Sequence, residues 1–211
     1  MRNKRTVSSR PSFAVVVDGE CEVWYLQMIK RHERSININI EPKLPQKKSL
    51  QDQYDIVCKI AEDYSKVFWI VDFDVILKET RVSKKGRTTP LQNFSGYCKN
   101  KKENIIIIVN NPCLEFWFLL HFEFTSKYFN SYEEIERYIK RKYLPDYSKN
   151  QEYYTKQDRD IYLRLKPYLG AAIRNAEKLE KFDPSEPHRG LSEMHLFFRT
   201  EDLSNVFAHL S

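Results

Sequence analysis

The chain has 211 residues and a formal net charge of +6, and 41% of its residues are hydrophobic. This apolar fraction, which includes 13 Tyr, 13 Phe and 3 Trp, predicts a packed core and excludes a globally disordered chain. Only 5 residues are glycine, which argues against a glycine-rich nucleotide-binding loop. The length favours one domain with an appendage.

Localisation signals are not visible in the sequence. No apolar run approaches the ~18 residues that a membrane helix needs, and no apolar segment follows the basic residues near the first methionine. We therefore predict a cytoplasmic protein without membrane contact. None of the four cysteines belongs to a C-x-x-C pair, so we expect reduced, mostly buried thiols at Cys21, Cys58, Cys98 and Cys113.

Buried strands and helices alternate along the first part of the chain. Short runs rich in β-branched residues predict buried strands at 12–17, 67–71 and 105–109, and an alternating run predicts another at 36–41. Helical spacing predicts helices at 20–34, 50–64, 91–102 and 113–121. This alternation predicts an α/β core with a mainly parallel sheet flanked by helices, over residues 12–124.

The pattern changes after residue 124. Apolar residues on helical spacing predict helices at 131–142 and over 158–182, and Pro184, Pro187 and Gly190 mark a loop after them. We therefore predict a helical C-terminal part, residues 125–211, that packs on the core.

Carboxylates follow two of the predicted buried strands. Asp18 ends the first strand and Glu22 lies four residues later, whereas Asp72 and Asp74 follow the third. Ligands bind at the carboxyl ends of the strands in open α/β sheets, so we expect both groups to face one crevice. Asp72 and Asp74 would point to the same side if the backbone stayed extended.

Several carboxylates held together repel one another, and a hard divalent cation removes that repulsion. Mg²⁺ prefers such oxygen ligands and keeps several waters. The sequence therefore predicts a Mg²⁺ (or Mn²⁺) site formed by Asp18, Glu22, Asp72 and Asp74. The alternative is that these residues are ordinary solvated acids after strands.

A basic stretch without any acid covers residues 81–102. Its cations are predicted to contact the phosphates of a nucleic acid, and the alternative is a solvated lysine-rich loop. The residues concerned are Arg81, Lys84, Lys85, Arg87, Lys99, Lys101 and Lys102.

Three segments resemble a known family. Residues 15–25, Val-Val-Val-Asp-Gly-Glu-Cys-Glu-Val-Trp-Tyr, are similar to the first-strand motif of Toprim-type domains in the form carried by RloB-like proteins. Residues 67–74 resemble the family's strand that ends in D-x-D. The most specific match is Asn110-Asn111-Pro112-Cys113-Leu114-Glu115-Phe116-Trp117, which runs into Leu119-Leu120-His121-Phe122. The family commonly has Glu where Asp18 stands and Ser where Asn110 stands.

The resemblance implies a Toprim fold and a nuclease whose first-strand acid and D-x-D motif bind Mg²⁺ for phosphodiester chemistry. It also implies a role in antiphage defence, often beside an ABC-type ATPase. The chain has no G-x-x-x-x-G-K-[ST] motif, so any ATP would have to act through that partner.

Two further residues are candidates for the same site. Glu115 either completes the acidic crevice or is a buried glutamate paired within the core, and Lys156 either contacts phosphate or is an exposed structural lysine. Two other functional classes stay open at this point. The chain could be a non-catalytic regulatory or effector subunit of a defence complex, or a different Mg²⁺-dependent phosphotransferase or phosphatase.

Overall fold

A computed structural model describes residues 12–41, 48–83 and 88–207 of the chain. In these ranges the strands are β1 (Phe13–Val16), β2 (Ile38–Glu41), β3 (Lys66–Asp72), β4 (Ile105–Asn111) and β5 (Leu191–Ser192). The first helices are α1 (Glu20–His32), α2 (Leu50–Ile60), α3 (Phe73–Arg81), α4 (Pro90–Asn100) and α5 (Glu115–Leu120). The later helices are α6 (Tyr132–Lys142), α7 (Gln151–Thr155), α8 (Ile161–Leu165), α9 (Leu169–Glu177), α10 (His195–Phe198) and α11 (Glu201–Phe207), with a 3₁₀ turn at Lys166–Tyr168. No helix in the described part is long and apolar enough to cross a membrane.

The strands form one mixed sheet in the order β2-β1-β3-β4-β5. The pairs β1–β2, β1–β3 and β3–β4 are parallel, whereas β4 and β5 are antiparallel. The predicted α/β architecture with a mainly parallel sheet is therefore confirmed. The strand β5 was not predicted, and it adds a short antiparallel edge through the pair Asn110 and Ser192.

Each face of the sheet has its own hydrophobic cluster, because successive side chains of a strand point to opposite faces. On one face Val67, Trp69 and Val71 pack against side chains from α2, α3 and α4. On the other face Phe68 and Ile70 pack against α1, α5 and the helices that follow residue 125. Burial on both faces explains why these strands read as continuous apolar runs.

Two of the core helices begin with a capping box. Ser49 caps α2 with Asp52 at its third position, and Thr89 caps α4 with Gln92 in the same role. Each box satisfies backbone N–H groups that have no partner inside the helix. Both helices therefore begin at positions that the local sequence fixes.

The C-terminal part shares the core of the first 124 residues. Phe129, Tyr147 and Leu169 belong to the same buried cluster as Phe68 and Ile70. The strand β5 comes from this part as well. The boundary between residues 124 and 125 stays a prediction.

Gly190 lies where the chain enters β5, and the structure leaves no room for a side chain there. An added Cβ would overlap the carbonyl oxygen of Lys127 and the ring of Phe116. We expect Gly190→Ala to lower the free energy of unfolding by about 1–3 kcal/mol, the usual cost of overpacking. Gly96 in α4 is the matched control, because nothing lies within 4 Å of an added Cβ there. Gly96→Ala should stabilise the protein by about 0.5–1 kcal/mol. Thermal unfolding of both variants tests the pair, and equal effects would contradict it.

Candidate metal centre

The carboxyl ends of β1 and β3 and the first turn of α1 place four acids around one cavity, Asp18, Glu20, Glu22 and Asp72. The two strands pair directly and in parallel, with Val16 opposite Trp69. Asp18 follows β1, and Asp72 is the last residue of β3. With Glu22 from the first turn of α1, these residues line a cavity of about 200 Å³ together with Lys149.

Gly19 explains how the carboxylate of Glu22 reaches this edge of the sheet. A Cβ added at Gly19 would overlap Oε2 of Glu22, so the Glu22 side chain lies against the backbone of Gly19. Glu22 is 4% exposed. The Asp-Gly-x-x-Glu spacing therefore provides both the acid and the space that it occupies.

Asp74 does not extend the strand as the sequence prediction assumed. β3 ends at Asp72 and α3 begins at Phe73, so the backbone between the two aspartates is not extended. The expectation that both side chains point to the same side, which required an extended backbone, therefore does not apply. Asp74 instead lies in the first turn of α3, and its Oδ2 is 2.6 Å from Nζ of Lys78. Its negative charge is still close enough to raise the pKa of Asp72.

Glu115 is fully buried and belongs to the same group of charges. Its Oε1 accepts a hydrogen bond of 2.7 Å from the hydroxyl of Tyr147 and lies 3.2 Å from Nζ of Lys149. Its charge raises the pKa of both Glu22 and Asp72. Glu115 is therefore a buried glutamate paired with Tyr147 and Lys149, and its charge acts on the acids of the cavity.

Lys149 is the residue of this site that the sequence analysis missed. It lies in the loop between α6 and α7, 34 positions after Glu115, where no local pattern distinguishes it from other lysines. Burial lowers its pKa, but the charge of Glu115 outweighs that effect and leaves the pKa above its ordinary value. Lys149 is therefore a positive charge at the acidic cavity.

Two buried carboxylate oxygens at this site have no hydrogen-bond partner. They are Oδ1 of Asp72 and Oε2 of Glu115. A buried polar atom without a partner costs free energy, and it is found where a ligand, ion or water completes the site. The free atoms are therefore consistent with a ligand that brings positive charge.

The carboxyl groups hold their protons more tightly than usual. Burial, reinforced by the charges of Glu115 and Asp18, raises the pKa of Glu22 to about 7. Burial and the charge of Glu22 raise the pKa of Asp72 well above its ordinary value. Burial and the charge of Glu79 raise the pKa of Asp18. Burial and, to a smaller extent, repulsion between the carboxylates therefore disfavour their charged forms, and a bound cation would favour them.

The donor set fits a hard divalent cation. Carboxylate oxygens are the ligands that Mg²⁺ and Mn²⁺ prefer, and Mg²⁺ is commonly held by one or two carboxylates and several waters. Within the described ranges no group of three or more histidine, cysteine, aspartate or glutamate side chains is arranged as a preformed metal-binding site. Asp72 and Glu22 would hold the ion, with Asp18 beside them at the same cavity.

Asn110 adds an amide next to Asp72. The two residues are opposite each other in the β3–β4 register, so their side chains share one face of the sheet. Ser192 donates a hydrogen bond of 2.7 Å to Oδ1 of Asn110, and Nδ2 of Asn110 is buried without a partner. The amide is therefore an unused donor at the edge of the sheet that carries the acids.

The buried thiols beside this cavity are weak candidates for chemistry. Burial raises the pKa of Cys21 to about 12, and burial also raises the pKa of Cys113 well above its ordinary value. Thiols act as nucleophiles and metal ligands in their ionised form. The raised pKa values keep both thiols protonated at neutral pH. All four cysteines are free, as predicted.

The predicted phosphate-binding residues lie in several places. Lys156 is exposed at the end of α7, and Arg81 is exposed at the end of α3. Lys101 donates to the carbonyl of Ile105 at the start of β4, and Lys102 lies 3.4 Å from Glu62. Lys99 is exposed in the last turn of α4. The remaining three, Lys84, Lys85 and Arg87, lie outside the described residues.

The end of α4 is far from the acidic cavity. Ile105 pairs with Val67, and Asp72 lies five residues further along β3, a distance of about 17 Å at ~3.3 Å per residue. Lys99, Lys101 and Lys102 therefore lie near the amino-terminal ends of β3 and β4, whereas the acids lie at the carboxyl ends of the strands. The structure does not bring these three lysines to the cavity.

Comparison with known proteins identifies the family. The chain matches the RloB-like protein family over residues 13–200, which is most of its length. It therefore belongs to the RloB-like proteins. No curated protein and no solved structure matches it.

Proposed function

We propose that this RloB-like protein is a Mg²⁺- or Mn²⁺-dependent nuclease of the Toprim type that acts in antiphage defence. The observation that carries the proposal is the group of acids at the carboxyl ends of β1 and β3, in which buried oxygens of Asp72 and Glu115 lack partners. Ligands bind at the carboxyl ends of parallel strands, and a divalent ion held there could activate water for phosphodiester hydrolysis.

Each acid has a distinct role in this proposal. Asp72 and Glu22 hold the ion, and Asp18 is a further ligand or the general base. Asp74 lies in the first turn of α3, where its charge adds to the negative potential at Asp72. When bound, the ion supplies a nucleophilic water and neutralises charge on the cleaved phosphate. Glu115 positions Lys149 at the same cavity through the contact of 3.2 Å.

The proposed partners are a nucleic acid and an ABC-type ATPase. Exposed Arg81 and Lys156 are the described cations that the proposal assigns to phosphates, together with the basic residues between α3 and α4. The ATPase is proposed because the resemblance to RloB-like proteins implies it, and any ATP would act through that partner, since the sequence has no phosphate-binding loop of its own. The identity of the nucleic acid, DNA or RNA, is an outcome of the experiment below.

A second candidate function is a non-catalytic subunit of a defence complex. Two observations favour it: Lys149 already neutralises part of the acidic group, and the described residues form no ready metal cage. In this case the chain would bind its partner at full strength without any divalent ion.

The experiment that separates the two functions is a cleavage assay on single- and double-stranded DNA and RNA, with Mg²⁺, Mn²⁺ or EDTA and with and without the ATPase. We expect divalent-dependent cleavage that is lost in the double variant Asp72→Ala/Asp74→Ala. Lys140→Gln, at a half-buried lysine of α6 that pairs with Glu136, is the control that should keep activity. Retained cleavage in the double variant would refute the assignment of the site.

A further inference from the structure

We propose that the acidic cavity takes one divalent ion, and that the ammonium group of Lys149 occupies the place of a second one. This inference rests on the proposed metal site. In two-metal sites the ions lie about 3.5–4 Å apart and share carboxylate ligands. Here the side chain of Lys149 brings positive charge to the acidic group.

Two contacts place the ammonium of Lys149 at the acidic group. Its Nζ lies 3.2 Å from Oε1 of Glu115 and 4.1 Å from the centre of the Tyr132 ring. Its side chain is 37% exposed and lines the cavity beside Glu22 and Asp72. Lys149 is therefore part of the site in the absence of any ligand, and an ion near Glu115 would meet its positive charge.

Glu115 is fixed from the other side. The hydroxyl of Tyr147 donates to Oε1 of Glu115 and is 2.7 Å from the hydroxyl of Tyr154. Both tyrosines are buried, and Glu115 is 0% exposed. Because Tyr147 and Lys149 share one oxygen of Glu115, only its Oε2 is left for another ligand.

The remaining carboxylates suffice for one ion. Mg²⁺ is usually held by one or two carboxylates, and Glu22 and Asp72 provide them at the cavity that Lys149 also lines. A second divalent ion would have to share Glu115 with an ammonium of the same sign, at a distance where such charges repel strongly. Glu115 is therefore paired with Lys149, and Glu22 and Asp72 are left to hold a single ion.

The test counts bound Mn²⁺ directly, by the electron paramagnetic resonance signal of free Mn²⁺ during titration of the full chain. We expect one ion per chain in the wild type and two in Lys149→Gln, because the substitution frees Glu115. Lys140→Gln makes the same charge change at a lysine of similar exposure, 41%, whose partner is Glu136, and should still bind one ion. Lys149→Arg, which retains the positive charge, should also bind one.

Each other result overturns the inference. Two ions in the wild type would show that Lys149 excludes none, while leaving the proposed metal site intact. One ion in a folded Lys149→Gln would show that the lysine does not hold the place of an ion. No Mn²⁺ binding to the wild type would overturn the metal site as well. If Lys149→Gln fails to fold by circular dichroism, Lys149→Met replaces it in the count, and one ion in that variant would overturn the inference.

Discussion

Asp72→Asn is expected to abolish cleavage and to make the protein more stable. Asparagine keeps the shape of the side chain but removes a carboxylate whose Oδ1 is buried without a partner and whose pKa is raised by burial and by Glu22. Removal of this buried charge should raise the free energy of unfolding by about 1–2 kcal/mol and the melting temperature by about 2–8 °C. Loss of an ion ligand should reduce cleavage by more than about 100-fold, since even outer partners of a metal site cost 10–100-fold.

Thermal unfolding and cleavage assays on the same preparation test whether stability rises while cleavage is lost. Asp63→Asn is the control, because Asp63 is exposed after α2 and lies outside the cavity, so neither property should change. A folded Asp72→Asn that is less stable than the wild type would show that the carboxylate has a favourable partner. Retained cleavage would remove Asp72 from the ion ligands.

The second large effect is a pH-dependent stability difference between the wild type and Glu22→Gln. The pKa of Glu22 is raised to about 7 from 4.5, so the folded state binds a proton that the unfolded state has lost between these pH values. The contribution of Glu22 to stability therefore falls as pH rises through this window and is constant above it. Glu22→Gln should match the wild type near pH 4 and exceed it at pH 8 by on the order of 3 kcal/mol.

Chemical denaturation of both proteins across this range measures the difference. Glu133→Gln provides a control of the opposite sign, because a hydrogen bond from Ser131 lowers the pKa of the exposed Glu133. Saturating Mg²⁺ should stabilise the wild type more at pH 8 than at pH 6, since the ion favours ionised Glu22. A difference that is independent of pH would show that Glu22 titrates normally.

The sequence was sufficient for the parts of the fold that carry strong local patterns. The runs around Val15, Trp69 and Ile107 predicted β1, β3 and β4, because strands covered on both faces are continuously apolar. β5 was missed because two residues have no periodicity, and the pair Asn110 and Ser192 is 82 positions apart. Only the folded chain shows that contact.

Some residues of the candidate site could likewise be predicted from the sequence, and others could not. Asp18, Glu22 and Asp72 could be found because each lies at or soon after the end of a readable strand. Asp74 was placed by an assumption of extended backbone that fails where α3 begins. Lys149 had no local signal at all, because its role depends on the tertiary contact with Glu115.

The late arrival of β5 has a consequence for synthesis in the cell. Ser192 pairs with Asn110, beside Asp72, and these residues are joined only after the ribosome has added 82 more residues. At about 5–20 residues per second this takes about 4–16 s. For that interval the acid-bearing edge lacks its last strand and the buried hydroxyl of Ser192. A nascent chain therefore cannot complete the site until its C-terminal part has been made.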